Sequence, residues 1–144
     1  SLEDHIFKGI ALAAPYIKAI CLGRATLTAA MVGKTIGEMV KSGNIPSDIR
    51  KYGDTIEQIF TGAVTLKAKF GKDFEKIPPG AIGLYNYYER LSLGLKQLMA
   101  GERKFALKHI SRDDLMALTP EAAKVSGISY VMDVDKTEVD KILK

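Results

Sequence analysis

The sequence predicts a mainly α fold of about seven helices with one or two short strands. Three observations carry this. Apolar residues recur at three- and four-residue spacing over most of the chain. Glycine and proline punctuate that pattern where helices stop and start. Only one stretch, "YIKAICL" over 16–22, combines β-forming residues, loose alternation and a closing glycine as a strand does.

The elements follow in order. Leu2, Ile6, Ile10 and Ala13 or Ala14 share a helical face, so 2–13 reads as an amphipathic helix. Ser1 is its expected N-cap, with Asp4 three residues on in a capping-box pattern. Pro15 ends it, and the strand over 16–22 follows, closed by Gly23. From Arg24 to about Ser42 the period is helical again, through Leu27, Met31, Ile36 and Met39 or Val40. Gly33 and Gly37 weaken that helix by up to ~1 kcal/mol each unless they permit close packing. Gly43 stops it and Ser47 caps the next, which runs over 48–70 with Gly53 and Asp54 able to break it in two. Pro79 suits the first position of the strongest helix, 80–100, where Leu84, Tyr88, Leu91, Leu95 and Leu98 step by three and four. The tail reads as short helices: 102–109, a capping box at Ser111 and Asp114, Pro120 to Gly127, and a last one from near Asp135. "ISYVM" is a short extended piece.

Composition bounds the function classes. The 144 residues suffice for one domain of ordinary size, and with 47% hydrophobic against 26% charged residues disorder is not indicated. The net charge of +4 suits a phosphate, but the lysines are scattered, so the chain lacks the footprint of a nucleic-acid binder. With Cys21 as the single cysteine, neither a disulfide framework nor a cysteine metal cluster is expected. His5 and His109 stand in no metal-ligand spacing. No apolar run reaches the ~20 residues that span a bilayer, and "SLEDHIFKG" is not a signal peptide. A reducing cytoplasmic location, with no membrane partner, is the default. The N-terminus enters a helix in its first turn, so the chain is expected to be part of a longer one.

A lone strand leaves its backbone groups without partners. The strand over 16–22 must pair with "ISYVM", with another chain, or with a sheet outside this sequence.

Read together, "DHIFKGIALAAPYIKAICLGRATLTAAM" resembles the closing βα unit of FMN-dependent (β/α)₈ barrels. Asp4 to Ala14 matches that family's helix, and Gly23–Arg24 its turn. The tail ending "ISRDDLMALTPEAAKVSGI" looks like the C-terminal region of archaeal-type FMN-binding glutamate synthase domain proteins. The resemblance implies that 1–42 is the remnant of the last βα unit, with 43–144 a helical extension packed on it as one domain. It implies a C-terminal fragment of a glutamate synthase-like oxidoreductase, with the remainder of the FMN barrel upstream as its partner. The parent would pass electrons through FMN to 2-iminoglutarate, giving glutamate. The chain departs from the larger bacterial glutamate synthases in having no cysteine after Cys21, so their iron–sulfur cluster is absent or supplied elsewhere. No catalytic residue is assigned here. The flavin ring contacts and the chemistry would lie in the upstream units, so the isolated chain is expected to be inactive and to bind no FMN by itself.

The turn has a physical reading of its own. A strand that ends in glycine lets backbone approach a ligand, and the helix that follows offers free N–H groups and a positive dipole end. Arg24 adds a fork of donors suited to phosphate. In (β/α)₈ enzymes the phosphate site lies in the loops after the last two strands. By the resemblance, the Gly23 and Arg24 amides and the Arg24 side chain bind the FMN phosphate, with Ala25 lending an amide and Thr26 a hydroxyl.

Blander readings fit the other candidates. Cys21 reads as an inert buried thiol and His109 as a solvated helix-end cap. Tyr85 and Tyr88 belong to the apolar face of the long helix, and Asp113–Asp114 to a cap. "TPEAAKVSGI" lacks the Gly-h-Gly hairpin of DNA-binding modules. Two alternatives to the barrel fragment stand: a stand-alone helical interaction module derived from such a barrel, and a minimal phosphate- or nucleotide-binding protein. The strand over 16–22 also motivates self-association into a homo-oligomer.

Overall fold

A computed structural model describes residues 2–143. Among them are eight α-helices: α1 Glu3–Ala13, α2 Arg24–Ser42, α3 Ser47–Arg50, α4 Ile56–Ile59, α5 Thr61–Phe70, α6 Pro79–Gly101, α7 Pro120–Ser126 and α8 Lys136–Ile142. Three 3₁₀ turns, Gly71–Lys76, Leu107–His109 and Arg112–Asp114, join them. The fold is mainly α, as the periodicity implies. Ser1, the expected N-cap of α1, lies outside the described residues.

Three expectations are corrected. First, 16–22 forms no strand. The Tyr16 and Ile17 amides donate to the Ala13 carbonyl at 2.8 and 3.1 Å, and the chain then runs irregularly to Gly23. "ISYVM" does not pair with it. Instead Tyr130 makes a parallel bridge with Ala117, where the Ala117 amide donates to Ser129 and the Val131 amide to Ala117, both at 2.9 Å.

Second, the helix expected over 48–70 divides into α3, α4 and α5. Gly53 takes a φ of +136°, and Thr55 restarts the helix as the N-cap of α4. The extended backbone of Phe60 then separates α4 from α5. Third, 102–109 is not a helix. Helix α6 closes in a Schellman motif: the Lys104 amide donates to Met99 at 2.8 Å and the Arg103 amide to Ala100 at 3.0 Å. Arg103 takes the left-handed φ of 54° that this motif needs, so the chain turns away there.

The chain forms two compact units. One is Cys21–Gly94; the other is Leu2–Ile20 together with residues from Leu95 on. Helix α2 shares a core with α4, α5 and the first part of α6, which keeps it with the segment that follows it.

In the first unit Ile36, Phe60, Ala63, Leu66, Phe74 and Ile82 form the buried cluster. Each large apolar side chain in it contributes about 1.5–3 kcal/mol. Helices α2 and α6 cross at glycines. A Cβ on Gly33 would stand 2.8 Å from Gly83 Cα, and one on Gly37 would overlap the Pro79 ring. The close packing that Gly33 and Gly37 permit is thus real. Asn86 fixes α5 against α6, its side-chain oxygen accepting from the Gly62 amide at 3.0 Å.

In the second unit Phe7 and Ala11 of α1 bury against Met99 and Ile110. The Arg112 guanidinium donates to the Ser126 and Leu12 carbonyls, tying the end of α7 and the end of α1 to the 3₁₀ turn at 112–114. Asp114 accepts from the Ser111 amide at 2.9 Å and pairs with Lys104 at 3.0 Å. The expected capping role of Asp114 is realised by that first bond.

Candidate functional site

The corner at Gly23–Arg24 is the start of α2, a helix of 19 residues. Its first helical bond runs from the Leu27 amide to the Gly23 carbonyl at 3.5 Å. The amides of Arg24, Ala25 and Thr26 therefore precede the intrahelical ladder, as at any helix start. The first turn holds no acidic residue. Arg24 is exposed and makes no ion pair among the described residues. The positive end of the helix dipole thus meets a guanidinium and no carboxylate, an arrangement that favours an anion.

Gly23 has a negative φ, −97°, and a Cβ added to it would meet nothing within 4 Å. The chain's own packing does not demand glycine here. Its missing side chain leaves the approach to the amides open. Ala25 is half-buried and offers only its amide. The Thr26 hydroxyl donates to the Gly23 carbonyl at 2.7 Å, within the first turn of the helix. The Gly23, Arg24 and Ala25 amides with the Arg24 guanidinium are a donor set of the kind a phosphate takes. They supply no aromatic surface for a flavin ring.

The other candidates are placed as follows. Cys21 is exposed, correcting the buried thiol, because the link that carries it enters no sheet. His109 is exposed in its 3₁₀ turn. Tyr85 packs on the first core, but Tyr88 is 45% exposed and meets Tyr87 edge to face at 5.6 Å. Among the described residues no group of three or more His, Cys, Asp or Glu is placed to hold a metal ion. No described helix is long and apolar enough to cross a membrane.

Two carboxyls are shifted. A hydrogen bond from Lys8 at 3.1 Å holds Asp4 below the usual carboxylate range. Lys67 does the same for Glu57 at 2.6 Å, and Glu57 in turn raises Lys67. Each joins an exposed lysine to a half-buried carboxylate on a helix surface and has the character of a structural contact.

Sequence reasoning missed an apolar groove in the second unit, of about 560 Å³. Ile17 and Ile20 line it, and their spacing was open to a second interpretation: i, i+3 rather than alternation. Comparison with protein families, with curated proteins and with solved structures finds no match to this chain.

Proposed function

We propose that this chain is the C-terminal part of an FMN-dependent, glutamate synthase-like oxidoreductase, and that its corner at Gly23–Arg24 receives the FMN phosphate. The observation that supports this most is the start of α2. An exposed Arg24 with no ion pair among the described residues stands beside amides that precede the helical ladder, with no acidic residue in the turn. That is the chemistry which the resemblance of "DHIFKGIALAA" and "GRATLTAAM" assigns to these positions. The FMN would supply the electron transfer. This chain's residues would hold only its phosphate: Arg24 by side chain and amide, Gly23 and Ala25 by backbone.

The test is flavin content. The polypeptide encoded by the whole reading frame is expected to purify with FMN. Arg24→Ala is expected to weaken FMN binding by about 10- to 100-fold, since a hydrogen bond to a charged group is worth about 1.5–3 kcal/mol. A reading frame that encodes no barrel upstream, or a full-length protein that binds no flavin, overturns the reading.

A stand-alone helical interaction module is the second reading. It is favoured by Leu27 and Met31, one turn apart on α2 and 62% and 61% exposed. A start codon just before Ser1 together with loss of partner capture in Leu27→Asp would support it.

A further inference from the structure

We propose that the groove in the unit formed by Leu2–Ile20 and residues from Leu95 on binds an anionic amphiphile: a carboxylate head on one unbranched hydrocarbon chain. Its volume, about 560 Å³, falls within the ~300–1,000 Å³ of small-molecule sites. Ile6 and Ile10 of α1, Ile17 and Ile20 of the irregular link, Leu95 of α6 and Ile110 make its walls. No aromatic side chain lines it among the described residues, so its walls offer no stacking surface to a nucleobase or a flavin ring. Its walls suit an aliphatic body.

The charges at the groove select the head. Lys18 and Lys108 are the charged residues of the lining, and no carboxylate accompanies them among the described residues. Both are exposed, and neither makes an ion pair among the described residues. The Lys18 ammonium donates to the Pro15 carbonyl at 3.3 Å, which keeps it at the groove. Lysine stems cover apolar surface while their heads stay in water, so the two cations belong at the mouth and the isoleucines inside. A cationic ligand is repelled there, and a neutral one gains nothing from either charge. A monoanion with an apolar tail satisfies both halves of the site.

The experiment is a methyl NMR titration of the full chain with octanoate, decanoate and 1-decanol, each below its aggregation concentration. Decanoate is expected to shift the δ1 methyls of Ile6, Ile10, Ile17, Ile20 and Ile110 saturably. Affinity should rise about two- to fourfold per added methylene. Lys18→Ala with Lys108→Ala is expected to weaken decanoate about tenfold and leave 1-decanol within about twofold. The Gln pair at the same positions is a second variant that preserves the stems. Shifts spread over the whole chain, affinity independent of chain length, or equal loss for decanoate and 1-decanol would overturn the proposal. So would a concentration-dependent dimer that shifts the same methyls without ligand, which would make a second copy the occupant.

Discussion

Replacing Gly83 by alanine is expected to destabilise the protein by about 1–2 kcal/mol, although it improves helix propensity. The new Cβ would stand 2.7 Å from the Ala29 carbonyl oxygen and 2.7 Å from Gly33 Cα, at least 0.7 Å inside ordinary contact. Both atoms are backbone, so no rotamer change relieves them. Helices α2 and α6 must part. Alanine gains about 1 kcal/mol over glycine within a helix. Overpacking costs about 1–3 kcal/mol, and the upper end applies where rigid backbone must move. At about 2–4 °C per kcal/mol for a chain of this size, the midpoint should fall by roughly 2–8 °C. Gly9 is the control, because a Cβ there meets nothing within 4 Å. Gly9→Ala in α1 should stabilise by about 0.5–1 kcal/mol. Urea unfolding followed by circular dichroism, compared by midpoint at constant slope, measures both. If Gly83→Ala proves neutral or stabilising like Gly9→Ala, the glycine crossing of α2 and α6 is refuted.

Thr55→Ala should cost about 0.5–1 kcal/mol in the same assay, with Thr55→Ser recovering most of it. Thr55 accepts from the Gln58 amide at 3.4 Å while the Gln58 side chain accepts from the Thr55 amide at 3.2 Å, and α4 has only four residues to hold itself. Asp114→Ala should cost about 1–3 kcal/mol, because a side chain only 6% exposed loses both the Ser111 amide and Lys104. Asp114→Asn keeps the first contact and should fall between. The Glu57–Lys67 pair should show in the pH dependence of thermal unfolding. Glu57 titrates lower when folded, so its contribution is complete above the unfolded carboxylate value, about 4.3. That contribution is lost as pH falls through the lower folded value. The midpoint difference between wild type and Lys67→Met should therefore shrink below about pH 4. A difference that stays constant from neutral pH down to pH 3 would refute the pairing.

The helices were legible where local chemistry fixes their ends. Gly43 stops α2 at φ 72° with its amide on the Val40 carbonyl, and Gly127 stops α7 at φ 67°. Thr119 caps α7 by accepting from the Ala122 amide at 3.1 Å, with Pro120 following it. These signals act within one turn, and a sequence carries them whole. What misled were features that depend on distant neighbours. β-Formers express fitness for a half-buried pleated surface, and 16–22 has no strand beside it. Its Ile17 and Ile20 line the groove instead. The helix expected over 102–109 failed for a local reason instead: α6 closes at Arg103, which takes a conformation that its side chain does not advertise.

At the candidate site the same distinction separates what the residues show from what they do for the fold. The free amides at 24–26 follow from any helix start, so they were legible. The direction of Thr26 was not, because its hydroxyl had a choice between solvent and the Gly23 carbonyl, and it takes the carbonyl. Arg24 has made no such commitment. It neither pairs with a carboxylate among the described residues nor caps its own helix. A guanidinium with no structural task should be removable at little cost. Arg24→Ala should change unfolding free energy by no more than about 0.5 kcal/mol, the usual effect of a surface substitution. Thr26→Val should cost more, because it opens the first turn. If Arg24→Ala instead destabilises by a kilocalorie or more, Arg24 serves the fold, and the argument that it stands ready for a phosphate fails with it.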